Sequence, residues 1–223
     1  LRAILNRANA EGVGSVATHP FGRGGFEVSK LEEATAKRYL PAAELSKLKS
    51  TTASNPQCEY ARKLFLFSYY CYGISFIEME DGDYIVYKRQ KIKRQKGVKP
   101  ISIKITPAIR QLIGSLQAAS PTVDDFLLPI VTRSGYTGER LYMHIRARYS
   151  KYQKYLRLLA EELGIDFHLT SYVSRHTAAM TLQRNNIPRE VISQMLGHAD
   201  LETTNIYLDS FDNGVINEAA KVL

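Results

Sequence analysis

The stretch NPQCEYARKLFLFSYYCYG, residues 55–73, leaves this chain few ways to fold. The run reads as a long helix ending at Gly73. The second half of the run is apolar on every side, so the helix it predicts cannot float on a surface. It has to be a central, buried helix with others packed around it. Cys58 and Cys71, the only two cysteines, both fall inside this pattern, which argues against a disulfide framework.

The segments available to surround that helix alternate in period. SKLEEATAKRYLPAAELSKL reads as helical, with Pro41 suited to a first turn. DYIVYKRQKIKRQKGVKPISIKI then has the alternation and β-branching of strands, with a turn at Gly97 before PISIKI. Helical patterning returns at TPAIRQLIGSLQAA, ERLYMHIRARYSKYQKYLRLLAEELGI, SYVSRHTAAMTLQRNN and IPREVISQML, the last opened by Pro188. The ending NGVINEAAKVL puts Val215, Ile216, Ala219 and Leu223 on one stripe. The expected class is mainly α with a small antiparallel β-hairpin or three-stranded sheet. Residues 1–12 read as an amphipathic helix stopped near Gly12, followed by a Gly-rich linker over 13–37. A lone helix before a linker suggests the tail of a preceding domain.

Charge narrows the partners. Thirty Lys and Arg against 22 Asp and Glu give a formal +8 and a pI near 9.4, which favours a polyanion. Two acid-free clusters carry much of it. Residues 87–99 hold Lys88, Arg89, Lys91, Lys93, Arg94, Lys96 and Lys99. Residues 144–157 hold Arg146, Arg148, Lys151, Lys154 and Arg157, interleaved with Tyr149, Tyr152 and Tyr155. Either cluster alone reads equally well as a solvated face; together they favour a surface for a phosphate backbone. The expected DNA contacts are Lys88, Lys93, Arg94, Lys96, Arg146, Arg148 and Lys151. Apolar runs are short and hydroxyl-rich, so no membrane span is expected, and neither is a signal peptide; the chain reads as part of a cytoplasmic protein.

Chemistry is written near the end. LGHADLETTNIY, residues 196–207, is almost wholly polar, yet it separates His198 from Tyr207 by nine residues. A tyrosine hydroxyl, with a pKa of about 10, attacks poorly unless a phosphate is clamped and its proton has a path away. Arg175 sits in a helix of small and apolar residues. Its two readings are an ion pair with a buried carboxylate and a pre-positioned guanidinium for a developing oxyanion. Strand alternation puts Arg89 and Lys91 on one face, flanked by Tyr87 and Lys93. A fork of guanidinium donors beside a mobile ammonium suits a phosphate. An arginine, a lysine and a histidine around one phosphorus would supply clamp, leaving-group acid and proton or charge partner.

The run SYVSRHTAAMTL…IPREVISQMLGHADLETTNIYLDS resembles the C-terminal signature of the tyrosine recombinases, the phage-integrase family. There an Arg-His helix is followed by an LGH segment that ends in the nucleophilic tyrosine. The resemblance covers residues 38–223 as a catalytic domain, with 1–12 like the last helix of the family's core-binding domain. It implies that Tyr207 forms a 3′-phosphotyrosyl bond, and that Arg175 and His198 hold the scissile phosphate. It also implies that Lys91 protonates the 5′-oxygen leaving group. Two transesterifications follow, with no metal and no cofactor, on double-stranded DNA held by a homo-tetramer. An accessory DNA-bending protein is a further expected partner, and 214–223 is expected to be a helix exchanged between subunits.

Two positions depart from the family pattern. The first arginine is expected where GISFIEM places Ser75, and the usual H-x-x-R reads Tyr172-Val173-Ser174-Arg175. Both resemble the conjugative-transposon branch. Arg89 is the candidate for the missing guanidinium, and Tyr172 and Ser75 enter the site by position. The departures leave open a second reading, a DNA-binding relative that has lost catalysis. A metalloenzyme built on His168, His176 and His198 is disfavoured, because their spacing matches no metal geometry.

Overall fold

A computed structural model describes residues 2–13, 39–74, 80–81, 83–87, 100–124, 126–198, 201–205 and 208. The chain divides into two compact units, Leu1–Ala36 and Lys37–Leu223. In the first, helix α1 spans Arg2–Ala10 and closes at Gly12, whose φ of 74° is the left-handed turn expected of a glycine stop. The remainder of the 13–37 linker lies outside the described residues.

The second unit is built on the helix that the sequence marked as central. Helix α2 (Ala42–Ser50) precedes α3 (Pro56–Tyr70). The Asn55 side chain caps α3 by accepting from the backbone N–H groups of Gln57 and Cys58. Every residue from Leu64 to Tyr69 is buried, so no face of that half reaches water. Helices α4 (Pro107–Ala119), α5 (Gly138–Glu162) and α6 (Ser171–Arg184) all pack on it. Helices α7 (Arg189–Leu196) and α8 (Leu201–Asn205) follow. Cys58 and Cys71 are buried free thiols, and burial pushes the Cys71 thiol well above its usual range.

Strands β1 (Glu80–Asp81), β2 (Tyr84–Tyr87) and β3 (Ile101–Lys104) form an antiparallel sheet in that order. The register opposes Ile85 to Ile103 and Tyr87 to Ile101. Ile85, Tyr87 and Ile103 are buried in the main core. The mainly α architecture with a small antiparallel sheet is therefore the one expected. Among the described residues no helix is long and apolar enough to cross a membrane.

The end of α3 differs from expectation. The last helical residue is Tyr70, and it is Tyr72, not Gly73, that first turns left-handed, with φ 59°. The Gly73 N–H reaches back to the Ser68 carbonyl at 2.7 Å, and the Tyr72 N–H to Tyr69 at 3.2 Å. These two bonds define a Schellman ending. Helices α1, α5, α6 and α7 end the same way, but with Gly12, Gly164, Asn186 and Gly197 at the left-handed position. Tyr72 alone of these takes that conformation with a bulky side chain, at a cost of roughly 1–2 kcal/mol.

Candidate active site

Helix α6 brings the Arg175 side chain inside. Residues Val173–Met180 are buried without a break, which the small side chains of Ser174, Thr177, Ala178 and Ala179 permit by letting α3 approach closely. The Ser68 and Ser174 hydroxyls meet at 2.8 Å across that contact. Gly73 lies flat against Arg175; a Cβ there would fall 2.1 Å from the arginine's own Cβ. The start of α6 is fixed from α5, where Gln153 accepts from the Ser171 N–H at 3.1 Å and the Tyr149 hydroxyl meets Ser171 Oγ at 2.8 Å.

Arg175 is 4% exposed and held by two helix ends. Its Nη1 donates to the Tyr72 carbonyl at 3.1 Å, and its Nη2 donates to the Leu196 carbonyl. The left-handed turns at Tyr72 and Gly197 terminate α3 and α7 beside the guanidinium, where the negative ends of both helix dipoles favour a cation. Among the contacts described, the partners of the guanidinium are two backbone carbonyls and an imidazole.

That imidazole belongs to His198. Gly197, at φ 62°, closes α7, and the His198 N–H bonds back to the Ser193 carbonyl at 3.0 Å. The ring then lies with Nε2 3.0 Å from Arg175 Nη2 and Nδ1 2.8 Å from Thr204 Oγ1. Thr204, on α8, is fully buried. The next residue, Asn205, accepts from Arg189 Nη1 at 2.9 Å, and Leu208 is buried with Ala179, Met180, Ile192 and Leu196. The polar run after His198 thus contains a short, anchored helix, as expected.

The remaining candidates are distributed as follows. Tyr172 lies three residues before Arg175 on α6, 52% exposed, with its ring 4.8 Å from that of His176. His168 is exposed on the loop before α6, and His176 is buried. Among the described residues no group of three or more His, Cys, Asp or Glu is placed to hold a metal. On α5, Arg146 and Lys151 are exposed, whereas Arg148 is half-buried and turned toward Tyr60. Burial raises the Tyr60 pKa, and the Arg148 guanidinium offsets part of that rise.

The interleaved tyrosines of α5 are not part of its basic surface. Tyr152 is buried in the core, Tyr149 and Tyr155 pack against it, and burial raises the Tyr152 pKa. Their three-residue spacing keeps them on the core side of the helix, whereas the basic residues fan outward. Tyr207, Lys91, Arg89, Ser75, Lys88, Lys93, Arg94 and Lys96 lie outside the described residues, as does 214–223.

Sequence reasoning missed Gly73, Thr204, Gln153 and the two carbonyls. A close-approach glycine, an orienting threonine and a backbone acceptor have no composition signal of their own.

A buried arginine at two helix ends with a histidine on its guanidinium thus sits in a mainly α fold with a small sheet. Residues 73–213 match the phage integrase family, and the chain belongs to that family. It is 43% identical over 54 residues to the tyrosine recombinase XerD of Halalkalibacterium halodurans, covering 24% of this chain and 18% of that one. It is 31% identical over 114 residues to the tyrosine recombinase XerC of Rhodospirillum centenum, covering 51% and 31%. These matches therefore span less than a third of each relative's length. The fold overlays that of the Tn1549 transposon integrase in complex with a circular-intermediate DNA. The TM-score is 0.67 at 12% identity, over 100% of this chain and 76% of that one. A λ integrase dimer bound to a core site gives a TM-score of 0.56 at 15% identity, over 95% and 74%.

Proposed function

We propose that this chain carries the catalytic domain of a site-specific DNA recombinase. It would cleave and rejoin strands through a 3′-phosphotyrosyl intermediate, integrating or excising a mobile element. The observation that carries the reading is Arg175 Nη2 at 3.0 Å from His198 Nε2, between the ends of α3 and α7. A guanidinium donor and an imidazole fixed beside one another before substrate arrives are the preorganisation that a phosphorane-like transition state requires.

In this reading the Tyr207 oxygen attacks the phosphorus, its proton passes to the lone pair of His198 Nε2, and the bond to the 5′-oxygen breaks. Lys91 protonates the departing oxygen, and Arg175 holds the non-bridging oxygens with His198 at its side. The ester preserves the bond energy, so a second transesterification rejoins the strand without metal or nucleotide. The anchors at Asn205 and Leu208 stand on either side of Tyr207 in sequence, which supports its delivery near Arg175 and His198. Ser75 follows Ile74, whose carbonyl accepts from Ser68 Oγ at 2.9 Å, so the first-arginine position directly follows the α3 ending that holds Arg175. Arg89 would supply the second guanidinium. The parity that buries Ile85 and Tyr87 is also that of Arg89 and Lys91, which supports a shared face. Tyr172, one turn before Arg175 and half-exposed, would offer a hydroxyl where the family pattern has a histidine.

Double-stranded DNA is the partner that the +8 charge and the DNA-bound structural relatives support. A homo-tetramer on two sites, an exchanged 214–223 helix, an accessory DNA-bending protein and a cytoplasmic setting belong to the same reading. The second reading, a binding protein without catalysis, rests on Ser75 and Tyr172.

A nicked suicide substrate carrying a candidate core site separates the two. The full-length parent should form a covalent protein–DNA adduct, and Tyr207→Phe should abolish it with binding nearly intact, because only the nucleophilic oxygen is removed. Binding without any adduct would establish the second reading. An adduct persisting in the Phe variant would move the nucleophile, with Tyr172 the first residue to test.

A further inference from the structure

Arginine has no hydrogen-bond acceptor, and its guanidinium stays protonated. A hydrogen bond between Arg175 Nη2 and His198 Nε2 therefore runs one way: Nη2 donates, and Nε2 carries the lone pair. A neutral imidazole with a lone pair on Nε2 has its proton on Nδ1. That proton points at Thr204 Oγ1, 2.8 Å away. We propose that Thr204 is a positioning residue: its buried hydroxyl accepts the Nδ1 proton and, together with the Arg175 donor on Nε2, fixes the ring plane and the Nδ1–H tautomer of His198. Nε2 is thereby presented toward Arg175 and toward the phosphate that Arg175 would bind. The positioning role in cleavage rests on the recombinase reading; the tautomer itself does not.

Three features make Thr204 more than a packing residue. It is fully buried, so no water competes for the bond. It sits on α8, tied at Asn205 to Arg189 at the start of α7, so the hydroxyl is held relative to the helix that bears His198. Its partner's backbone is fixed by the Schellman bonds around Gly197, leaving rotation of the ring as the freedom that the threonine removes. A hydroxyl suits the task because it accepts from Nδ1–H without bringing a charge close to Arg175. An Asp or Glu at this place would instead stabilise an imidazolium against the guanidinium.

The test uses the full-length protein labelled with ¹⁵N at histidine, with the His198 signals identified by their loss in His198→Gln. In unaltered protein without DNA, one His198 nitrogen should resonate as a protonated nitrogen and the other as a lone-pair nitrogen, with Nε2 the latter. Thr204→Val, nearly isosteric, should mix the tautomers and reduce the rate of adduct formation on the suicide substrate by on the order of 10- to 100-fold. Thr204→Ser should restore both. Because Val can also loosen α8, the Ser variant and the positions of the His176 signals separate loss of the hydroxyl from loss of fold. An unchanged His198 tautomer in a folded Val variant overturns the inference whatever the DNA arm gives. A shifted tautomer with full cleavage rate overturns the positioning role. If unaltered protein forms no adduct, the recombinase reading fails and takes the role in cleavage with it, and the NMR arm alone then decides whether Thr204 sets the ring.

Discussion

At the scale of single residues, the site is made by backbone positions as much as by charged side chains. Arg175 is useful only if its guanidinium stays where Tyr72 and Leu196 place it, and both carbonyls are aimed by left-handed turns. Gly73 is the most exacting position. Its φ is 79°, and a Cβ would lie 2.1 Å from Arg175 Cβ and 2.6 Å from its Cα, which is backbone and cannot swing aside. Gly135 provides a control, with φ 75° and nothing within 4 Å of a built Cβ. Gly135→Ala should cost only the left-handed conformation, roughly 1 kcal/mol, and leave adduct formation unchanged. Gly73→Ala should add about 1–3 kcal/mol of overpacking to that and displace Arg175, with most of the adduct lost. Thermal melts and the suicide substrate measure both. Equal melting points and full cleavage in the two variants would mean that the contact yields without disturbing the guanidinium.

At the scale of elements, α3 organises the fold and α6 organises the site, and their coupling to the periphery is polar. Arg62 of α3 donates Nη1 to the Leu48 carbonyl of α2 at 2.6 Å, and grips Glu59 through Nε and Nη2, both at 2.7 Å. Glu59 Oε2 also accepts from the Ala53 N–H at 3.0 Å. Burial works to raise the Glu59 pKa, but the Arg62 hydrogen bonds, the Ala53 N–H and the Arg62 and Lys63 charges together hold it below the ordinary value of 4.5. A depressed carboxyl pKa contributes stability that is present above the unfolded-state pKa and lost as pH falls through the folded one. Denaturant melts should therefore weaken below pH 4.5 in the unaltered protein. Glu59→Gln should cost about 1.5–3 kcal/mol at neutral pH and flatten part of that acid limb. An acid limb unchanged in the Gln variant would remove Glu59 from the account.

These same elements show what a sequence can and cannot display. The unbroken apolar half of α3 and the Pro188 opening of α7 are local signals, and each stands in the structure. The side that the tyrosines of α5 take was not legible, because alternation with lysine and arginine looks like a mixed surface in one dimension. On a helix, Tyr149, Tyr152 and Tyr155 recur on the core side. The left-handed Tyr72 could not be read at all. Tyrosine does not favour that conformation, and it is imposed by tertiary contacts around Arg175, where strained backbone is expected to collect.

At the scale of the whole molecule, the proposed reading divides the excess of 30 basic over 22 acidic residues between surfaces that would touch DNA and surfaces that face water. The slope of log K against log salt makes that division, because each phosphate contact releases counterions worth about 0.9 in slope on duplex DNA. Lys88, Lys93 and Lys96 belong to an acid-free run, so replacing all three with Ala should lower the slope by roughly 2–3. The α5 triple, Arg146, Arg148 and Lys151 to Ala, should do less. Arg148 is turned toward Tyr60 and lines a small pocket with Gln57, Ala61 and Leu64, so about two contacts remain to be lost, near 1.8 in slope. Single-site binding measured from low to moderate salt, with each variant's melting point checked, reads both numbers. A zero change for the lysine triple would take the strand-side cluster off the DNA and leave its charge as a solvated face. A full three-contact loss for the α5 triple would mean that Arg148 leaves Tyr60 for a phosphate on binding. The single variant Arg148→Ala should then change the slope by about 0.9 on its own.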